Sequence, residues 1–133
     1  MNGIIILFAS MASEWFIRNL ICKNGMTEIF RNGVFSVPVS AQEVKEHWRR
    51  EGFDFGIFRD PPGQEWNDFV HSTDEYVLVA EGELHISVGS DKADCRPGDL
   101  VRIPKGVPHS LKTTSPTGSV WFYGYGNWGR ENE

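Results

Sequence analysis

Residues 67–82 read NDFVHSTDEYVLVAEG, and the way this stretch folds decides what the rest of the chain can be. His71 and Glu75 stand four residues apart, a spacing that one turn of helix would bring together. Yet residues 75–80, EYVLVA, are β-branched and aromatic, the composition of a strand. On one straight strand the two side chains would be roughly 13 Å apart, whereas two ligands of one ion must both come within about 2.0–2.2 Å of it. The residues between them, Ser72, Thr73 and Asp74, are turn formers. A bend there puts His71 at the end of one strand and Glu75 at the start of the next, and the pair can converge.

The alternating pattern continues in both directions from this bend. From Phe53 onward the segments FDFGIFRD, WNDFVH, EYVLVA, ELHISVG, DLVRIP, HSLKTT and SVWFYGY have strand character. They are punctuated by PPG, STD, EG, GSDKAD, RPG, PKGVP and SPTG. Short strands at such close spacing predict an all-β fold, an antiparallel barrel or double-sheet jelly roll. A βαβ fold would need helices between the strands, and the pattern offers none. Upstream, SAQEVKEHWRREG predicts a helix with both ends marked. Ser40 and Glu43 form a capping box, Val44 and Trp48 share a face, and Gly52 supplies the stop. Residues 29–37 predict a first strand around Gly33, and residues 13–22 have spacing compatible with a short amphipathic helix. The chain therefore divides into an N-terminal extension, residues 1–52, packing on a barrel of residues 53–129 within a single structural domain.

Composition narrows the function classes. The 133 residues suffice for one domain with one core. A formal net charge of −5 argues against a nucleic-acid or anionic-membrane partner, since both demand clustered Lys and Arg. The start, MNGIIILFASMAS, has no basic region and only a short apolar run, and no stretch reaches the roughly 20 apolar residues that span a bilayer. The two cysteines, Cys22 and Cys95, fit a reduced compartment, each as a small buried hydrophobe. These features predict a cytoplasmic protein. Met26 is a candidate alternative start.

A third ligand for His71 and Glu75 should come from another strand, and RPGDLVRIPKGVPHSLK offers His109 just after a Pro/Gly-rich turn. Two histidines and one carboxylate suit a non-haem Fe(II) site and also accept Mn, Ni, Cu or Zn. At these residues the chain resembles a known family. Gly63, His71, Glu75 and Gly82 follow the first cupin motif, G-x5-H-x-H-x3-E-x6-G, with Phe69 in place of its first histidine. Gly98, Pro104, Gly106 and His109 follow the second, G-x5-P-x-G-x2-H-x3-N, with Thr113 at the asparagine position. Fifteen residues separate the two, the compact arrangement of small single-domain cupins. The resemblance implies a jelly-roll barrel, a homodimer and a metal held by His71, Glu75 and His109. Phe69 leaves that site with three ligands. A metal-free cupin whose polar remnants hydrogen-bond one another is the competing expectation.

Parity with His71 predicts that Asn67 and Phe69 line the barrel mouth. From the last strand, either Trp121 and Tyr123 or Phe122 should point inward. An aromatic pocket beside a metal suits a small, partly apolar organic ligand. His85 alternates against Leu84 and Ile86 and is expected on the surface or a dimer face, and His47 has polar helical neighbours. Asp74, Thr73 and Asp99 are expected to shape turns. Two functions compete. One is a metal-dependent enzyme of oxygenase, isomerase or lyase type, with no catalytic residue evident beyond the ligands. The other is a non-catalytic module binding a sugar or metabolite, with or without metal.

Overall fold

The computed structural model describes residues 28–128. The expectations for a helix at 13–22, for Cys22 and for a start at Met26 lie outside these residues. The described chain runs β1 (Phe30–Arg31), α1 (Ala41–Arg50), β2 (Gly56–Asp60), β3 (Glu65–Phe69), β4 (Asp74–Glu81), β5 (Leu84–Val88), β6 (Asp91–Cys95), β7 (Leu100–Ile103), β8 (His109–Thr113) and β9 (Ser119–Gly126). The strands form two antiparallel sheets, one in the order β1-β7-β4-β9-β2 and the other β3-β8-β5-β6. This is the expected double-sheet jelly roll, with its core between the sheets. Val77 and Val79 of β4 meet Leu84, Ile86 and Val88 of β5 there, together with Val101, Leu111 and Trp121.

Two local expectations are corrected. The segment 29–37 is a strand only at Phe30–Arg31, paired with Val101 and Leu100. Beyond it the backbone turns at Gly33, in the left-handed region at φ +63°, where its N–H donates to Asp99 Oδ1. Conversely GSDKAD is not all turn. Gly89 and Ser90 make the turn, and Asp91–Cys95 returns as β6 against β5. The polar sequence of β6 hid it, because an edge strand presents one face and one side to water and needs few apolar residues.

Strand β4 is buried along almost its whole length, from Asp74 to Ala80. One face belongs to the core between the sheets. The other, Tyr76, Leu78 and Ala80, is covered by α1 through Val44 and Trp48. The helix forms where the sequence marks it. Ser40 Oγ accepts from the Glu43 N–H at its start. At its end Gly52 stands at φ +86°, with Gly52 N–H donating to Arg49 O and Phe53 N–H to Trp48 O, a Schellman closure. Trp48 stacks on Tyr76 with ring centroids 5.3 Å apart. Gly124 of β9 makes room for it, since a Cβ there would sit 2.8 Å from the indole.

A turn glycine closes the end of β4 remote from Glu75. Gly82, between β4 and β5, adopts φ +82°, and a Cβ on it would lie 2.2 Å from Gly118 O. Any side chain there strains the backbone and pushes the β8–β9 turn away.

Burial also sets an alkaline limit on stability. Burial, then the charges of Asp99 and Asp94, pushes the Cys95 thiol up to about 12 from 9.0. Burial, then the hydrogen bond to Glu51, pushes the Tyr76 phenol up to about 12 from 10.0. Both groups therefore keep their protons when folded at a pH where the unfolded chain has lost them. Their contribution is full below the unfolded values and is lost as pH rises from about 9 to about 12. The unfolding free energy should fall over that window, by an amount on the order of a few kcal/mol in all, and Cys95→Ala should flatten the lower part of the slope. A free energy unchanged up to pH ~11 would contradict the burial assigned to both groups.

Candidate metal centre

The bend at Ser72 and Thr73 does more than reverse the chain. It carries it from β3, in one sheet, to β4, in the other. His71 thus hangs from the end of one sheet while Glu75 points inward from the second. Asp74, fully buried, anchors this crossing. Its Oδ1 accepts from the Lys105 N–H and its Oδ2 from the Trp128 N–H, each within about 3.0 Å. The β7–β8 turn is tied to the same point, because the Gly106 N–H donates to His71 O at 2.9 Å. His109 then opens β8 directly opposite Phe69 of β3. Asp74 is expected from the sequence to shape the local turn; the structure shows it clamping two distant segments as well.

These anchors bring His71, Glu75 and His109 together, with one donor atom of each within 4.8 Å of the others. Glu75 Oε1 lies 3.4 Å from His71 Nε2 and 3.2 Å from His109 Nε2. Glu75 and His109 are buried, and His71 is partly open. Although both nitrogens are close, Oε1 accepts no hydrogen bond. His109 explains this on its side. Its Nδ1 lies 3.2 Å from Val107 O, and a carbonyl can only accept, so the ring proton sits on Nδ1. Nε2 then faces the cavity beside Glu75 Oε1, 3.2 Å away and without a hydrogen bond between them.

A carboxylate oxygen and two imidazole nitrogens held this close call for a cation among them, a metal ion or a shared proton. A buried acceptor left without a donor costs about 1–3 kcal/mol, and more when it is charged. Two ligands each about 2.1 Å from one ion, at angles of about 90–110°, lie about 3.0–3.4 Å apart, which matches both observed separations. The Nδ1–carbonyl contact of His109 is also the support that a metal-bound imidazole ordinarily has. The donor set, its spacing and the orphaned oxygen all fit a divalent ion.

Around the donors lies a cavity of about 200 Å³. Its remaining walls are almost wholly aromatic: Phe58, Trp66, Phe69, Trp121 and Tyr125, with Leu111. Phe69 lies at the mouth, 39% exposed, its ring parallel to that of His71 at 6.3 Å. On β9 the inward side is that of Trp121, Tyr123 and Tyr125, while Phe122 packs under α1.

Two expected lining residues are not on the cavity wall. Asn67 is exposed and donates to Glu65 Oε1. Parity fails because β3 bulges between Trp66 and Phe69, where three steps on β3 face two on β8 and Asp68 takes φ +59°. The bulge puts Trp66, not Asn67, beside Phe69. Tyr123 does face inward, but it lies opposite Gly56 and its ring settles over that glycine and against Phe58. Tyr125, two residues on and paired with Glu75, takes the cavity wall instead. Parity along β9 could have indicated it. His85 lies outside, paired with Asp94 at 2.8 Å, and His47 packs edge-on to Phe35.

Tyr125 is the remaining protic side chain on the described wall. Its hydroxyl is 3.4 Å from His71 Nε2. Burial, then the charge of Glu75, pushes its phenol up to about 12. It is therefore a hydrogen-bond donor at neutral pH and not a base. The two indole N–H groups are turned away, both to Asp60 Oδ2 at 2.9 Å.

A family model described as a cupin domain matches residues 56–123, slightly more than half of the chain and inclusive of all three donors. No curated protein matches the chain. Among solved structures it is similar to TT1209 from Thermus thermophilus, at 25% identity over 56% of this chain and 73% of that one, TM-score 0.52. An RmlC-like cupin from Shewanella frigidimarina shares 24% identity over 60% and 69%, TM-score 0.51. The cupin domain of Schizosaccharomyces pombe Cnp3 is 16% identical over 56% of each chain, TM-score 0.53. None of the described helices is long and apolar enough to cross a membrane.

Proposed function

The chain belongs to the cupin family, and from that footing we propose that it is a metal-centred protein for a small organic molecule, with His71, Glu75 and His109 as the ligands. The observation that carries this reading is Glu75 Oε1, buried and without a hydrogen bond while two imidazole nitrogens close on it. An ion there, of the Fe, Mn, Ni, Cu or Zn group, supplies a Lewis acid or a redox centre when bound. The protein's own contribution is to orient and to exclude water. Val107 O orients the His109 ring, Asp74 holds the bend that sets Glu75, and the aromatic wall gives the site an apolar surround. Tyr125 donates a hydrogen bond to whatever occupies the cavity beside the donors. The proposal extends to catalysis of oxygenase, isomerase or lyase type, and to a cytoplasmic homodimer, the assembly usual for the family.

The test is elemental analysis of untagged protein purified without added metal. One equivalent of a divalent transition metal per chain is expected. A preparation that neither carries such a metal nor takes one up on dialysis would sink the proposal, leaving the metal-free binding module.

A further inference from the structure

We infer that the ligand is a flat, aromatic, largely apolar molecule bearing a single anionic head, bound with its ring against the aromatic wall and its head toward the three donors. The head group rests on the metal reading; the ring does not.

Asp60 shows that the wall is built to a shape. This buried carboxylate directs one oxygen, Oδ2, to both the Trp66 and the Trp121 indole N–H at 2.9 Å. The two tryptophans come from different sheets, on β3 and β9, so Asp60 fixes their separation across the cavity. Both indole N–H groups are withdrawn from the ligand space by the same bond, and only ring carbon is left facing it. Phe58, itself on the wall, packs against both, 4.8 Å from Trp121 and 5.5 Å from Trp66. Asp60 is thus a positioning residue for the wall.

Size and polarity then limit the occupant. An apolar cavity of about 150 Å³ holds one benzene, and this one measures about 200 Å³. One ring with a short substituent fits. Polar groups are confined to the donor end, where His71, Glu75, His109 and the Tyr125 hydroxyl gather. A sugar, with hydroxyls all round, would leave most of them against carbon without a partner. With an ion bound, the donor end is cationic and selects an anionic head; a quaternary ammonium would be repelled.

The experiment uses the full chain, Zn²⁺-loaded and chelator-stripped, in calorimetric titrations with benzoate, acetate, phenol, glucose and tetramethylammonium. Benzoate and acetate carry the same head, so their ratio reports the ring alone. On loaded protein benzoate should bind at least about tenfold more tightly than acetate, and glucose and tetramethylammonium should not bind. Phenol should bind the stripped protein, which tests the ring without the metal. Phe69→Ala, at the exposed mouth, should weaken benzoate several-fold and leave acetate unchanged. Asp60→Ala should bring the ratio near one with metal content intact, and Asp60→Asn, which keeps an acceptor oxygen, should restore much of it. Equal affinities for benzoate and acetate, or binding of glucose or tetramethylammonium in their place, would overturn the inference. Failure of both benzoate and acetate to bind the Zn²⁺-treated protein, with phenol still bound to stripped protein, would instead locate the failure in the metal reading.

Discussion

His109→Ala should lose its metal and with it the metal-dependent part of its stability. The imidazole is buried and its Nε2 lies 3.2 Å from Glu75 Oε1, so the variant lacks one of the three proposed ligands. Removing a group that merely supports a ligand typically lowers metal affinity about 10–100-fold, and removing a ligand itself should exceed that. Metal at a hundredfold excess over its dissociation constant stabilises a folded protein by about 2.7 kcal/mol. For a domain of this size that is a rise in Tm on the order of 10 °C. The parent should show the rise on titration with Zn²⁺ or Mn²⁺, and His109→Ala should show none. His85→Ala, on the outer face beside Asp94, should behave like the parent. Undiminished metal in the His109 variant would remove His109 from the ligand set.

The second large effect concerns the helix outside the family match. Trp48→Ala should destabilise the protein by about 3–5 kcal/mol, the cost of emptying a large aromatic site in a packed core. Trp48 is 2% exposed and touches Tyr76 and Phe55. It covers the outer face of β4 and β9, where Gly124 is shaped to receive it. Without the indole, Tyr76 and Leu78 would face water. Urea denaturation measures the loss directly, with exposed Gln42→Ala on the same helix as a control expected within about 0.5 kcal/mol. A loss below ~1 kcal/mol would mean that the helix is not part of the cooperative fold. Because the family match begins at Gly56, the result also shows whether the barrel needs its helical cover.

Features carried by neighbouring residues are legible in the sequence itself. Ser40, Glu43 and Gly52 mark the ends of α1 because capping bonds are made within one turn. The strand series is legible because alternation is a local consequence of the pleat. The two glycine-framed motifs point to His71, Glu75 and His109, and the structure brings those three together. Elements that depend on what lies beside them are not legible in this way. β6 is polar because it is an edge, and β1 is short because Gly33 turns away to reach Asp99. Parity misplaces Asn67 because a bulge is set by a partner strand, here by Ser110 Oγ accepting from the Asp68 N–H.

The sequence alone thus indicated most of the secondary structure and an antiparallel barrel or jelly roll, from local periodicity, while the cupin motifs implied the jelly roll and three candidate donors. The tertiary structure decided that the Ser72–Thr73 bend passes between sheets, so that donors from two sheets converge around one oxygen. It also decided that Tyr125, and not Tyr123, completes the wall. Asp60, which no local pattern distinguishes, became the brace between Trp66 and Trp121. Each of these is a relation between segments far apart in the chain. Strand register and sheet pairing set such relations, and neither is encoded in any single stretch of residues.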